Sequence, residues 1–179
     1  VEFVFPKRGE KARFLKLSAM NAETIMKRTV ETRDRGKDVI PGVILALKRD
    51  LHLEHPPRTI ACIDISHFQG SDTVASLVFF RNGKPEKKEY RHFRIETVGG
   101  VDDFASMREV VRRYYTRRVE EKTELPDLLL VDGGKGQLSS ACAVLSELGL
   151  GARPAAGLAK RLEEVFLPGM SDAQNIPKT

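Results

Sequence analysis

A short run of large aliphatic residues that ends in an acid and a glycine cluster constrains this chain more than any other feature. From Leu128 to Leu138 it reads Leu-Leu-Leu-Val-Asp-Gly-Gly-Lys-Gly-Gln-Leu. The simplest reading is a buried strand, a carboxylate (Asp132) at its C-terminal tip, a glycine turn, and a helix that opens with the following apolar-periodic segment. In open α/β sheets the crevice beyond the strand C-termini is where ligands bind, so Asp132 stands where chemistry is done. The glycines lack the spacing of a nucleotide-cradling loop. They allow close backbone approach beside Asp132 instead. Lys135 then either reaches a phosphate oxygen or is a surface lysine.

A second stretch gives that acid a partner. Thr59 to Phe68, Thr-Ile-Ala-Cys-Ile-Asp-Ile-Ser-His-Phe, has the composition of a buried strand, yet Asp64 sits inside it. A carboxylate among isoleucines needs a metal, a cation or backbone donors, because an unpartnered buried charge costs several kcal/mol or is neutralised. Alternation places His67 on the opposite strand face from Asp64, which gives it a structural role.

The segments between and after these two set the expected topology. Thr73–Arg81 and Glu86–Ile95 are β-rich and flank Asn82-Gly83, the strongest short hairpin signal; the second alternates charge with aromatics and reads as an edge strand. Asp102 or Asp103 caps a helix whose Met107, Val110, Val111 and Tyr114 share one face. Its other faces carry Arg108, Arg112, Arg113, Arg117 and Arg118, a pattern of a solvated helix that also permits phosphate contact. Gln137–Leu148 is a helix ended by Gly149 and Gly151. Arg153–Leu158 is a short strand with Lys160 and Arg161 after it, Glu163–Leu167 is a short element, and Met170–Thr179 reads as loop.

Upstream, Val1–Phe5 reads as an edge strand, and Lys11 to about Arg35 as a basic helix. A second helix carries Val43, Ile44, Leu47 and Leu51 and is ended by His55-Pro56-Pro57. His52 and His55 read as surface residues at that helix end. Residues 1–58 carry the whole net charge of +5, and residues 59–179 are neutral. A basic arm beside a neutral body fits a polyanion partner and fits a solvated helical surface equally well. No apolar run is long enough to span a bilayer, and no signal-peptide pattern opens the chain. Cys62 and Cys142 form neither a disulfide framework nor a zinc pattern, which points to a reducing cytosol.

The predicted architecture is therefore α/β: an antiparallel three-strand meander, then parallel strands alternating with helices, flanked by helices and preceded by a helical appendage. We place the appendage at residues 1–58 and the sheet-bearing body at residues 59–179. If the strands bearing Asp64 and Asp132 are neighbours, both carboxylates converge on one edge, and Asp103 at the start of the intervening helix could join them. Converging carboxylates repel unless a divalent cation neutralises them, and hard oxygen ligands suit Mg²⁺ or Mn²⁺. A carboxylate-held metal pair is an arrangement for in-line phosphodiester cleavage.

The chain resembles the ribonuclease H-like fold, and within it the C-terminal nuclease region of the UvrC family of excision-repair endonuclease subunits. The matching text is Cys62-Ile-Asp-Ile-Ser-His67, Gln69-Gly70, Thr73-Val-Ala-Ser76, Asp102-Asp-Phe-Ala-Ser-Met107, Val131-Asp-Gly-Gly-Lys-Gly-Gln-Leu138, Gly157-Leu-Ala-Lys160 and Phe166-Leu-Pro-Gly169, in order throughout. The resemblance implies metal-dependent cutting of damaged double-stranded DNA on the 5′ side of a lesion, with UvrA and UvrB as partners. It makes Asp64 and Asp132 the metal-binding catalytic acids and Asp103 a third. Gln69, Arg108, Lys135 and Lys160 are the candidate DNA contacts, and these should be to phosphate, since lesion repair cannot depend on sequence. The family also uses a histidine on a last helix, and none of His52, His55, His67 or His92 occupies the matching position. The body is thus expected to be C-terminally incomplete. The alternative is a catalytically incomplete module on the same fold that binds nucleic acid or a protein partner. A sugar-kinase-like phosphotransferase ranks last, because the chain is too short for two lobes.

Overall fold

The structure, a computed structural model, describes residue 23 and residues 39–68, 72–159, 164–170 and 172–175. The chain forms two compact units, Val1–Ile40 and Pro41–Thr179. Of the first, Glu23 is helical, and the expected edge strand and most of the basic helix lie outside the described residues. The second unit begins at Pro41 rather than at Thr59. It therefore includes the helix α1 (Gly42–Asp50), whose Ile44 and the following Leu51 are buried.

One mixed sheet carries the second unit. Its strands are β1 (Thr59–Phe68), β2 (Asp72–Arg81), β3 (Lys84–Pro85), β4 (Arg91–Arg94), β5 (Leu128–Asp132), β6 (Ala155–Ala159), β7 (Glu164–Phe166) and β8 (Gln174–Asn175). They lie in the order β3-β2-β1-β5-β6-β7-β8, with β4 also on β2. The β1–β2 pair and the β2 pairings with β3 and β4 are antiparallel, β1–β5 and β5–β6 are parallel, and β6–β7 and β7–β8 are antiparallel. The meander and the parallel strands are as expected. Two details differ. The predicted Glu86–Ile95 strand is broken by a 3₁₀ turn at Lys87–Glu89, and the segment read as loop after Met170 contributes β8. Two-residue strands bury too little to leave a pattern in the sequence.

Asn82 and Gly83 both take positive φ, 50° and 76°, the pair of left-handed residues that a type I′ hairpin requires. The helices end by a shared device. In α1, in α2 (Asp103–Glu120) and in α3 (Lys135–Glu147), the residue two past the end is left-handed: His52, Lys122 and Gly149. The next N–H then reaches back to the last turn, as in Thr123 N to Arg118 O at 2.9 Å and Leu150 N to Leu145 O at 2.7 Å. α1 therefore closes at His52, ahead of the prolines predicted to stop it.

The core lies between α2, α3 and one face of the sheet. Ala61 and Ile63 of β1, Leu77 and Phe79 of β2, and Leu129 and Val131 of β5 meet Met107, Val110, Val111 and Tyr115 of α2 and Ala141, Val144 and Leu145 of α3. These residues alternate along the strands and recur at helical spacing along α2, so one period-2 face packs on one period-3.6 face. Asp102 caps α2, accepting from Ala105 N at 2.9 Å.

The arginines of α2 serve the fold. Arg118 stacks over Phe79 and Tyr114, donates to Glu89 at 2.7 Å and leaves its side chain only 11% exposed. Arg113 lies over Phe93 and donates to Glu109 at 3.0 Å, and Arg112 pairs with Glu147 of α3. Burial opposes the charge on Glu109, but donors from the Thr97 hydroxyl and N–H, Glu96 N–H and Arg113 outweigh it and hold its carboxyl below the usual range.

Two outcomes follow. Arg118→Ala destabilises the domain by about 1–3 kcal/mol through lost packing and lost charge-assisted bonds, whereas Arg117→Ala, whose exposed pair lies along the helix, costs under about 0.5 kcal/mol in denaturant titrations. Glu109 has a depressed folded pKa, so its stabilisation is complete above its unfolded value of about 4.3 and is lost as pH falls through the lower folded value. Glu109→Gln should be less stable near neutral pH, and its deficit should shrink on acidification below about pH 4, measured by melting temperature against pH.

Candidate active site

Register decides what the second face of the sheet presents. At the start of β1 and β5, Asp127 Oδ2 accepts from Thr59 N at 2.8 Å and from Thr59 Oγ1 at 2.9 Å, and Asp127 N donates to Thr59 O at 2.9 Å. Thr59 is 1% exposed. This clamp fixes the parallel pairing, in which Ile60 meets Leu128 and, at the far end, Asp64 meets Asp132. A slip of one residue would send every side chain of β5 to the wrong face.

Paired residues of adjacent strands project to the same face. Ile63 and Val131 point into the helix-covered core, so Asp64 and Asp132 issue from the opposite face, side by side on strands about 4.8 Å apart. Both are half-buried. Ser66, two residues on and on the same face, donates its hydroxyl to Asp64 Oδ2 at 3.2 Å. The turn after Asp132 is held from the next strand. A Cβ at Gly157 of β6 would stand 2.9 Å from Gly133 O and 3.3 Å from Leu138 Cβ, so glycine there lets the turn pack down.

Asp103 has hydrogen-bond partners of its own. As the first residue of α2 it bonds His67 Nε2 at 2.5 Å and accepts from Gln137 Nε2 at 3.2 Å, while His67 Nδ1 lies 3.0 Å from Thr73 Oγ1. The network ties the N-termini of α2 and α3 to the end of β1 on the core side of the sheet. His67 thus has the structural contacts that alternation predicts. Among the described residues no three Asp, Glu, His or Cys side chains cluster as a metal cage. Two carboxylates suffice for Mg²⁺, which dehydrates reluctantly and is commonly held by one or two carboxylates plus substrate phosphates.

The candidate DNA contacts divide similarly. Lys135 is exposed in the first turn of α3, next to the glycine turn. Arg108 donates to Ser140 Oγ at 3.3 Å and so bridges α2 and α3. Gln69 and Lys160 lie outside the described residues. Sequence reasoning missed the Thr59–Asp127 clamp. A signal existed, since both residues sit just ahead of aliphatic runs, but only the pairing reveals that they meet.

A mixed sheet with α2 and α3 on one face and an in-register aspartate pair on the other defines a ribonuclease H-like α/β domain. The model of the UvrC RNase H endonuclease domain matches residues 48–179. The UvrABC system protein C of Porphyromonas gingivalis strain W83 is 47% identical over 169 residues, covering 91% of this chain and 28% of that protein. Its counterpart from Prosthecochloris aestuarii is 44% identical over 182 residues, covering 100% of this chain and 29% of that protein. The chain belongs to the UvrC RNase H endonuclease domain family and spans less than a third of the length of these relatives. The catalytic domain of human Endonuclease V superposes with a TM-score of 0.45 at 23% identity, over 78% of this chain and 59% of that one.

Thr59→Val keeps the shape of the side chain but strips the hydroxyl from the Asp127 clamp. It should cost about 1–3 kcal/mol in equilibrium unfolding, because the half-buried Asp127 Oδ2 loses its hydroxyl donor and keeps the one from Thr59 N. An unchanged unfolding midpoint would show that the register is set elsewhere.

Proposed function

We propose that this chain is the strand-cutting domain of a DNA-repair nuclease that hydrolyses a phosphodiester bond 5′ to a lesion during nucleotide excision repair. The observation that carries this reading is the pairing of Asp64 with Asp132 across β1 and β5 on the sheet face away from the helices. In the full-length protein the partners would be UvrA and UvrB, and the substrate damaged double-stranded DNA. No helix among the described residues is long and apolar enough to cross a membrane.

Asp64 and Asp132 would hold Mg²⁺ or Mn²⁺, which when bound supplies Lewis acidity at the phosphate and an activated water. Ser66 fixes the rotamer of Asp64 through its hydrogen bond, so the carboxylate is aimed before the cation arrives. Lys135, exposed beside the turn after Asp132, serves as a phosphate contact, and Gln69 and Lys160 keep the same proposed role. Asp103 keeps its proposed role as a third acid, and its bonds to His67 and Gln137 anchor the end of β1 against the two helices.

The second reading is a non-catalytic nucleic-acid-binding or partner-binding module. A two-carboxylate site with no third protein ligand among the described residues is what favours it. Incision assays on the full-length protein separate the two. Asp64→Ala and Asp132→Ala should each abolish the 5′ cut, a loss of at least about a thousandfold, with melting temperature in metal-free buffer unchanged or raised by relief of repulsion. Normal nicking by either variant would refute the nuclease assignment and leave the binding module standing.

A further inference from the structure

The face that carries the two aspartates continues across the sheet. Asp64 pairs with Ser76 of β2, and Ser76 pairs with His92 of β4. Asp132, Asp64, Ser76 and His92 therefore form one row of side chains on a single face. One row further along β1, Ser66 pairs with Val74 and Val74 with Arg94. The edge strand β4 thus turns His92 and Arg94 toward the acid face, while Phe93 between them packs on the core. Both His92 and Arg94 are exposed.

The edge is built to hold these groups in place. Arg113 donates to Arg94 O at 2.8 Å and lays its guanidinium over the Phe93 ring at 5.5 Å. Ser76 Oγ lies 3.4 Å from His92 Nδ1, which orients the imidazole and leaves Nε2 for a second partner. His92 is two strands from Asp64, about 10 Å at the usual interstrand spacing. That distance corresponds to roughly one to three nucleotides of backbone.

Chemistry then assigns a ligand. Two carboxylates repel the polyanion whose backbone is cut between them, so the strand needs cations or N–H donors beside the acids to hold it in line. We infer that His92, with Arg94 beside it, is a positioning site for a backbone phosphate of the nucleic acid one to three nucleotides from the bond cut at Asp64 and Asp132. This rests on the nuclease reading above. The strand would run over Ser76, a small side chain that leaves room for it, and the contact would be blind to base identity.

The test is a phosphate-by-phosphate scan on the full-length protein assembled with its repair partners. Single methylphosphonates, which remove one backbone charge each, are placed on either side of the 5′ cut in a lesion-bearing duplex. In the wild type, one of those within three nucleotides of the cut slows incision roughly fivefold to tenfold. In His92→Ala that same substitution makes no further difference, and the half-saturating DNA concentration rises by more than the maximal rate falls. His92→Gln, which keeps an N–H donor, restores part of the sensitivity. The inference is overturned if His92→Ala, with an unchanged melting temperature, retains the wild-type pattern, or if no neighbouring methylphosphonate slows the wild type. Asp64→Ala run alongside separates the two claims. If it cuts normally, the nuclease reading fails, whereas abolished cutting with an unaltered His92→Ala pattern defeats only the phosphate site.

Discussion

The parallel pairing of β1 with β5 is the constraint on which the rest of the structure depends. It is pinned at one end by Thr59 and Asp127 and opens at the other on Asp64 and Asp132. The same pairing puts Ile63 beside Val131 in the core and the acids beside each other on the opposite face. Burial and chemistry are thus settled by one choice of register. Hydrophobic burial of the odd-numbered residues of β1 and β5 stabilises an arrangement that sets two carboxylates on paired positions.

The helix layer does a different job. α2 and α3 supply the apolar cover, and their polar residues fasten the layer to the sheet through Arg118, Arg113 and Glu109 and through the Asp103–His67–Gln137 network. This accounts for an arginine-rich helix without invoking nucleic acid. His92 and Arg94, which share a face with the acids, come from β4, a short edge strand with little of its surface buried.

Much of this was legible in the sequence. The aliphatic run ending in Asp132, the acid inside the Thr59–Phe68 run and the Asn82-Gly83 turn each have a local cause, so their strands and hairpin could be read directly. The helical stripe at Met107, Val110, Val111 and Tyr114 is buried as its spacing requires. What could not be read depends on pairing between distant segments. Asp103 begins the helix between the two acid-bearing strands, but its partners His67 and Gln137 come from distant segments and only the fold shows them. His92 looked like one residue of an exposed strand, and only the row through Ser76 gives it a place near Asp64. The strand β8 and the break at Lys87–Glu89 involve too few residues for periodicity to register. The charge excess ends at residue 58, whereas the sheet-bearing unit begins at Pro41. α1 is amphipathic whichever unit it covers, and its buried Ile44 lies within the sheet-bearing unit.

The central claim is that Asp64 and Asp132 jointly hold a divalent cation on the face away from α2 and α3. Crystals of the domain soaked in Mn²⁺ and measured at the manganese absorption edge test it most directly. The account predicts an anomalous peak bridging the two carboxylates, at about 2.0–2.3 Å from an oxygen of each. A peak at Asp103 and His67 instead, or no peak at saturating Mn²⁺, would contradict it.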